Sequence, residues 1–259
     1  MIEGVGEVIV VVEASNARRH AALLEKMFRQ RARFFHDRLK WDVQVVDGRE
    51  RDRYDDERPV YIIYADDLGR EVKGSLRLLP TTGPTLAADV FSDTLPDAVH
   101  LSAPTIWECS RFCLDESVLA SGIEGITFAS RVLIAALGDV AVRAGIKSII
   151  GNFDASKLRL YRRIGCEVEI LGSTSRWGAP VYLGLHPISE TIVRRVWGKL
   201  TDDRLAFAVA REIATRSVDP VHHRAASRGA ADRLPDASEM PPKHASPPEP
   251  LTGNSPGSN

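Results

Sequence analysis

The chain has 259 residues, 44% of them hydrophobic, and its 34 basic residues are nearly balanced by 35 acidic ones. This length and hydrophobic content suit one globular unit with a sizeable core. A net charge of −1 argues against a nucleic-acid-binding protein, whose domain is normally basic. No apolar stretch approaches the roughly 18 residues of a spanning helix, and the first residues lack a basic secretory start. We therefore expect a cytoplasmic protein without membrane insertion.

The first elements are a strand and a long helix. The run from Val8 to Val12 is β-branched and predicts a buried strand. Either Ser15 or Asn16 can cap the helix that follows, because short polar side chains accept hydrogen bonds from the first free backbone N–H groups. Apolar residues then recur at helical spacing, and the pattern predicts a helix that runs to about Arg38.

A hairpin and a third strand come next. The apolar run over 60–65 is followed by the turn residues around Gly69 and by a second run over 72–79. A further strand is predicted over 105–114. Beyond Gly125 an alanine-rich pattern predicts a long helix that Gly145 ends.

The second half of the folded region alternates between the two kinds of element. Strands are predicted over 146–150, 167–171 and 181–186, and helices over 155–164, 188–199 and 203–215. A consecutive block of strands followed by strand, helix and strand indicates an α/β (α+β) fold in which helices flank a mixed, mainly antiparallel sheet.

The last part of the chain has a different composition. The segment 220–259 holds 8 of the 15 prolines and no aromatic residue. Such a segment cannot bury enough apolar surface to offset the entropy lost on ordering. We expect a folded domain over 1–216 and a disordered proline-rich tail over 217–259.

Common catalytic and metal-binding patterns are absent from the sequence. It contains no Gly-x-Ser-x-Gly elbow, no Walker A loop, no Gly-x-Gly-x-x-Gly between strand and helix, and no His-Glu-x-x-His. Cys109, Cys113 and Cys166 form no CxxC pair and have no histidine at ligand spacing. We therefore expect neither a bound metal nor a disulfide framework.

A sparse set of charged and aromatic residues has a more specific pattern. Its members are Arg31, Phe35, Trp41, Asp52, Asp55, Arg77, Phe91, Glu108 and Arg111. Their order and spacing resemble those of the acyl-homoserine-lactone synthases, the LuxI-type autoinducer synthases. The resemblance covers roughly residues 20–186.

The resemblance implies a fold and a reaction. The family's fold resembles that of the GCN5-related N-acetyltransferases. Its members join S-adenosylmethionine to an acyl group carried as a thioester on acyl carrier protein or CoA. The methionyl amine attacks the thioester, and the methionyl carboxylate then displaces 5′-methylthioadenosine to close a lactone. S-adenosylmethionine is consumed as a substrate, so no cofactor is implied.

The resemblance and the chemistry together give Glu108 and Arg111 catalytic roles. A free α-amine has a pKa near 8 and must lose a proton before it attacks, so a base is needed. Glu108 is the candidate, acting through a water molecule. The structural alternative is a Glu108–Arg111 ion pair that pins the strand. Residues three apart in a regular strand face opposite ways, so joint action of the two requires a bulge or twist.

S-adenosylmethionine carries a sulfonium, an ammonium, a carboxylate and an adenine, and its site should combine aromatic groups with both charge signs. Phe35 and Trp41 can cover the adenine or the sulfonium. The charged groups of the substrate need partners of opposite sign: an acidic side chain for the ammonium and a basic side chain for the carboxylate. The ammonium is assigned to Asp52 or Asp55, and the carboxylate to Arg31 or Arg111.

Two residues of the set are given supporting roles. Arg77 lies among acidic neighbours and is expected to order the Asp52 and Asp55 loop rather than contact ligand. Phe91 is also assigned a supporting role.

Charge is unevenly distributed along the chain. Residues 51–100 have a net charge of −4 and residues 151–200 a net charge of +4. The helix predicted over 155–164 contains Lys157, Arg159, Arg162 and Arg163. Acyl carrier protein is acidic and CoA carries phosphates, so we expect this helix to be the carrier docking face. A solvated helix face is the alternative.

Two other functions fit parts of this pattern. The first is an acyltransferase of the same fold that acts on another amine, which would not need the S-adenosylmethionine residues. The second is an S-adenosylmethionine sensor without turnover.

Overall fold

A computed structural model describes residues 7–66, 68–69, 71–95, 101–119, 128–201 and 209–210. The predicted tail over 217–259 lies outside these residues, as does most of the helix predicted over 203–215. The described part of that segment, Val209–Ala210, forms a short strand, so the helix prediction is wrong there. This strand pairs in parallel with the first strand of the sheet, which supplies its backbone hydrogen-bond partners.

The described chain contains ten strands, seven of which lie close to predicted strands. They are β1 (Glu7–Val12), β2 (Val45–Val46), β3 (Arg49–Glu50), β4 (Val60–Asp66), β5 (Val72–Pro80), β6 (Ile106–Leu114), β7 (Ser148–Asp154), β8 (Glu169–Thr174), β9 (Val181–Pro187) and β10 (Val209–Ala210). No strand was predicted at β2, β3 or β10.

Helices occur between most of these strands. The α-helices are α1 (Ala21–Arg31), α2 (Leu86–Asp89), α3 (Glu116–Leu119), α4 (Phe128–Arg143), α5 (Ala155–Ile164) and α6 (Glu190–Thr201). A π-helix (Ala32–Arg38) extends α1, and 3₁₀ turns lie at Arg53–Asp55 and Ser92–Thr94. The predicted end of the first helix at Arg38 is confirmed, although its last seven residues have π geometry.

The start of the first helix differs from its prediction. The residue before α1 is His20, which makes no side-chain cap, rather than Ser15 or Asn16. The Asn16 side chain accepts from the backbone N–H of Glu13 and donates to the carbonyl of Val11. Asn16 therefore closes the turn after β1, and its capping groups are used before the helix begins.

Eight strands form one sheet in the order β10-β1-β4-β5-β6-β7-β9-β8. The β10/β1 and β6/β7 pairs are parallel and the other neighbours are antiparallel. The prediction of a mixed, mainly antiparallel sheet flanked by helices is confirmed.

The two faces of the sheet are covered by different helices. On one face, apolar residues of the central strands pack with α4 and α6 in the largest core cluster, which includes Ile62, Leu78 and Leu133. On the other face, Met27 and Phe28 of α1 cover Ile63. The chain alternates sides along β5 and β6, so Arg77 and Glu108 point to the α1 face while Leu78 and Trp107 point to the α4 face.

Candidate active site

Six charged side chains form a buried network between the sheet and α1. They are Arg31, Glu50, Asp52, Asp55, Arg77 and Arg111, and each side chain is at most 5% exposed. The three arginines balance the three carboxylates. Balance matters because an unpaired buried charge is costly, whereas a paired and hydrogen-bonded one is tolerated.

Arg31, at the end of α1, is held by two carboxylates. Its Nε donates to Glu50 Oε2 at 2.5 Å, while Nη1 and Nη2 donate to the two oxygens of Asp55 at 2.8 and 3.0 Å. Burial alone would lower the pKa of Arg31, but Glu50 and Asp55 outweigh burial and raise that pKa. Arg31 is 1% exposed, and all three of its guanidinium nitrogens donate to these two carboxylates.

Arg77 contacts both aspartates, as the sequence predicts. Its two Nη groups donate to both oxygens of Asp52 and to Asp55 Oδ1, and its Nε donates to Ser110 Oγ at 3.1 Å. Burial alone would raise the pKa of Asp55, but Arg31 and Arg77 outweigh burial and hold that pKa well below its usual range. The pKa of Asp52 is also lowered, by Arg111 and Arg77 acting against burial.

Local sequence fixes the position of the two aspartates. Asp52 precedes the 3₁₀ turn, and its side chain accepts from the backbone N–H of Tyr54 at 3.0 Å. In turn, Asp55 Oδ2 accepts a hydrogen bond from the backbone N–H of Asp52 at 2.9 Å. This reciprocal capping box holds both carboxylates toward the sheet.

Strand β6 contains the irregularity that joint action of Glu108 and Arg111 requires. Ser75 pairs with Cys113 and Arg77 pairs with Ser110, so three steps on β6 match two on β5. Arg111 has a φ of +52°, a left-handed conformation that is uncommon for a residue other than glycine. This bulge turns Arg111 toward the network, where its Nε donates to Glu50 Oε1 at 3.1 Å.

Glu108 is buried at the edge of the network. Its two carboxylate oxygens accept the backbone N–H groups of Leu86 at 3.1 Å and Ala87 at 2.6 Å, at the start of α2. Burial raises the pKa of Glu108, and the two N–H groups offset that only in part. Among the described residues, the partners of Arg111 are Glu50 and Asp52, so the alternative of a Glu108–Arg111 ion pair is wrong.

Phe35 and Trp41 form an aromatic pair beside Arg111. Their ring centroids are 5.1 Å apart and their planes are inclined by 33°. The Arg111 guanidinium carbon lies 5.4 Å from the centre of the Phe35 ring. Phe35 is buried while Trp41 is half-buried, so Trp41 presents the accessible part of the pair. Phe35 lies in the π-helix, whose turns are wider than those of an α-helix. The backbone N–H of Trp41 then donates to the backbone carbonyl of Phe35.

Phe91 lies apart from that pair. Its ring packs against Trp177, with centroids 4.7 Å apart, in a cluster that includes Tyr54 and Leu86. Tyr54 in turn has the Arg77 guanidinium 5.5 Å from its ring centre. Phe91 therefore supports the segment that begins at α2, in an apolar cluster separate from that of Phe35 and Trp41.

The sheet opens beside Glu108. Strands β6 and β7 pair in parallel only as far as Glu108 and Ile150, although β6 continues to Leu114 and β7 to Asp154. Beyond this last pair, the facing backbone groups of the two strands form no ladder. The opening is a wedge with Glu108 at its apex.

The four predicted docking residues are exposed on α5, but they do not share one face. At about 100° per residue, Arg159, Arg162 and Arg163 occupy an arc of about 100°, while Lys157 lies well away from them. Lys157 is 3.5 Å from Asp154, the residue that caps the helix. Lys157 therefore lies beside the cap and apart from the arginine arc, and the role of these four residues in carrier docking stays a prediction.

Sequence reasoning missed Glu50, Tyr61 and Ser110. Glu50 bridges two arginines, and the Tyr61 hydroxyl donates to Asp55 Oδ1 at 2.7 Å. Glu50 had no usable signal, because the three arginines assigned to the site were already matched in number by two aspartates and Glu108. Tyr61 and Ser110 had none either, because either residue fits an ordinary strand.

The described residues contain no cluster of three or more side chains suited to holding a metal ion. None of the helices within the described ranges is long and apolar enough to cross a membrane.

Comparisons with known proteins match this chain to one family. The autoinducer synthase family model matches residues 15–196. An acyl-homoserine-lactone synthase of Rhizobium etli is 37% identical over 178 residues, which cover 68% of this chain and 82% of that protein. Among solved structures, the CoA-dependent acyl-homoserine lactone synthase BjaI with SAM and isopentyl-CoA has a TM-score of 0.69 at 26% identity, covering 76% of this chain and 90% of that one.

A second solved structure agrees. TofI in a ternary complex with an inhibitor and MTA has a TM-score of 0.59 at 30% identity, covering 73% of this chain and 95% of that one. The family match spans most of the folded region and contains every residue of the buried network. The chain therefore belongs to the acyl-homoserine-lactone (autoinducer) synthase family and is an acyltransferase.

Proposed function

We propose that this chain makes an N-acyl-L-homoserine lactone from S-adenosylmethionine and an acyl thioester, with S-adenosylmethionine consumed as a substrate and no cofactor taking part. The position of Glu108 carries the proposal. A buried carboxylate stands at the apex of the wedge between β6 and β7, beside a network that presents both charge signs. BjaI was solved with S-adenosylmethionine and isopentyl-CoA, which supports the same pair of substrate classes here.

The first step is amide formation. The thioester carbonyl enters the wedge, and Glu108 accepts a proton from the substrate amine through a water molecule. The amine nitrogen bonds to the carbonyl carbon, the carbon–sulfur bond breaks, and a second proton passes from the nitrogen to the departing sulfur, so the carrier leaves as a thiol. A base whose pKa is raised by burial is better matched to an amine than an ordinary glutamate is.

The second step is lactone closure. The methionyl carboxylate attacks its own γ-carbon, and the sulfonium carbon–sulfur bond breaks to release neutral 5′-methylthioadenosine. A neutral thioether is a good leaving group, so correct positioning of the carboxylate is enough. Arg111 is suited to that task. Its Nη2 lies 2.7 Å from Asp52 Oδ2 without the alignment of a hydrogen bond, so this buried donor is available to a second carboxylate.

The other substrate groups are distributed over the same face. Asp52 or Asp55 receives the ammonium, and the accessible face of Trp41 with Phe35 covers the adenine or the sulfonium. Asp52 is the better placed of the two carboxylates, because it accepts three hydrogen bonds from the described residues whereas Asp55 accepts five.

Mass spectrometry of lactones from cells that express the chain tests the reaction and identifies the acyl group. We expect an N-acyl-homoserine lactone, together with methylthioadenosine released by the purified protein from S-adenosylmethionine and an acyl thioester. Transfer of the acyl group to other amines without methylthioadenosine would instead support an N-acyltransferase. Tight binding of S-adenosylmethionine without turnover on acyl-ACP and acyl-CoA panels would support a sensor.

The arginine arc of α5 gives a separate prediction about the carrier. Replacing Arg159 and Arg162 by glutamate should weaken binding of acyl carrier protein, more strongly at low than at high salt, because attraction between exposed charges is screened. S-adenosylmethionine affinity should not change, since both residues are exposed and neither belongs to the buried network. Binding titrations at two salt concentrations measure the affinity for acyl carrier protein and the affinity for S-adenosylmethionine.

Lys157→Glu is a matched control for this experiment. It changes the charge on the same helix by two units, as each single arginine reversal does, but outside the arginine arc. If Lys157→Glu weakened carrier binding as much as each single arginine reversal does, a localised docking face would be contradicted. It would also be contradicted if the arginine reversals changed neither the affinity for acyl carrier protein nor that for S-adenosylmethionine.

A further inference from the structure

Besides Arg111 Nη2, the side-chain oxygen of Asn152 is a buried hydrogen-bonding atom without a partner among the described residues. Asn152 lies on β7 two residues after Ile150, which pairs with Glu108 across the apex of the wedge. Its neighbour on β9 is Leu183, which packs with Ala87 and Ile150 on the Glu108 side of the sheet. Asn152 therefore lies where β7 has separated from β6, next to the opening.

The orientation of the Asn152 amide follows from hydrogen-bond accounting. Thr94 Oγ1 has one proton, and it donates that proton to the carbonyl of Phe91 at 2.6 Å. Towards Asn152, at 3.2 Å, Thr94 Oγ1 can then only accept. The NH₂ of Asn152 must therefore face Thr94, and the carbonyl oxygen Oδ1 must point the other way.

The Oδ1 atom is buried and has no hydrogen-bond donor among the described residues. A buried acceptor without a donor destabilises the free protein, because it has lost its contacts with water and gained nothing. Leucine would fill similar volume without that cost. A polar side chain here is therefore explained by a donor that arrives with substrate.

The chemistry of the surroundings selects the donor. Asn152 is uncharged, and its near neighbours Leu183 and Ile150 are apolar. A cationic ammonium is attracted more strongly to the carboxylates of the buried network. A neutral secondary amide N–H is the complementary partner for an amide oxygen in such a place.

We infer that Asn152 Oδ1 accepts a hydrogen bond from the amide nearest the sulfur of the thioester-bearing arm. This inference rests on the proposed function. Acyl carrier protein and CoA carry the same arm, so the contact does not depend on the carrier. Two methylene groups separate the sulfur from that amide nitrogen, a span shorter than the two residue steps from Ile150 to Asn152 along β7.

Thioesters of graded length test the contact. N-acetylcysteamine thioesters keep the first amide of the arm, whereas ethanethiol thioesters with the same acyl group have no amide. For Asn152→Leu, we expect kcat/KM to fall about tenfold with the N-acetylcysteamine and CoA thioesters, which corresponds to about 1.4 kcal/mol. With the ethanethiol thioester it should change less than twofold.

Thermal stability and a Thr94 variant separate binding from structure. Asn152→Leu removes a buried unpaired acceptor, so its melting temperature should be unchanged or higher. Thr94→Ser keeps the hydroxyl that orients the Asn152 amide and removes only a buried methyl group. It should lower the melting temperature and keep the ratio of kcat/KM between the N-acetylcysteamine and ethanethiol thioesters.

Three results would overturn the inference. One is an equal loss in Asn152→Leu with all thioesters, another is no loss with any of them, and the third is the same change of ratio in Thr94→Ser. Failure of the proposed function looks different, because the unaltered protein would then release no methylthioadenosine with any thioester.

Discussion

Replacing Glu108 by glutamine should lower kcat by a factor on the order of 10²–10⁴, the usual contribution of a general base. Glutamine keeps the shape of the side chain but cannot take the proton from the amine. S-adenosylmethionine binding should persist, because Glu108 makes no hydrogen bond to the charged network. Single-turnover release of methylthioadenosine, together with calorimetric binding of S-adenosylmethionine, measures the two effects separately.

The anchoring role of Glu108 requires a control. Both of its oxygens accept N–H groups from the start of α2, and glutamine can accept only one of them. Thr85→Ala loosens the same helix without touching Glu108, since the Thr85 hydroxyl accepts from Ala88 at 3.2 Å. We expect less than a tenfold loss in Thr85→Ala. A loss equal to that of Glu108→Gln would assign the effect to α2 rather than to a base.

The pH dependence gives an independent signature of the base. Burial raises the pKa of Glu108, and only the ionised carboxylate can accept the proton. The acid limb of kcat/KM should therefore lie at higher pH than an ordinary glutamate would give. The residual activity of Glu108→Gln should lack this limb, while the titration of the substrate amine near pH 8 affects both enzymes equally. An identical acid limb in both would contradict the assignment.

Replacing Glu50 by glutamine should cause the largest loss of stability among single changes in the network. The substitution leaves three buried arginines with two carboxylates, and its NH₂ faces the Nε donor of either Arg31 or Arg111. Breaking a buried ion pair costs about 3–5 kcal/mol. At about 3 kcal/mol, the melting temperature of a domain of this size should fall by about 6–12 °C.

A surface ion pair provides the matched comparison. Asp56 lies 3.0 Å from Arg51, and both side chains are at least half exposed. Asp56→Asn should change the unfolding free energy by less than about 0.5 kcal/mol, because exposed pairs contribute little. Similar losses in the two variants, measured by urea unfolding, would show that the network is not a buried, tightly coupled unit.

Acid should unfold the protein through the same network. The folded-state pKa values of Asp52 and Asp55 lie below those of the unfolded chain. Their contribution is therefore complete above the unfolded-state pKa and is lost as the pH falls through the folded-state values. Glu108 acts with the opposite sign, since its raised pKa gives a contribution that is present at low pH and lost as the pH rises through that value.

Most secondary structure was predictable because local patterns specify it. The helix over 155–164 was placed to the residue, since Gly165 has a φ of +89° and ends it in a conformation that glycine adopts readily. Both strands of the β4–β5 hairpin were predicted to within one residue of their observed ends. The first helix cap was misplaced because Ser15 and Asn16 both suit a cap, and only the folded turn shows that Asn16 bonds to the end of β1.

The sequence by itself determined the family, the alternation of elements and the charged residues around the reaction, because these depend on residue identity and spacing. Only the tertiary structure decided which charges pair. Glu50 and Tyr61 complete the network through contacts between residues far apart in the chain. The bulge at Arg111 is visible only in the pairing of β5 with β6. The wedge exists because β6 and β7 stop pairing at Glu108. Such contacts depend on how strands are brought together, which local sequence does not encode.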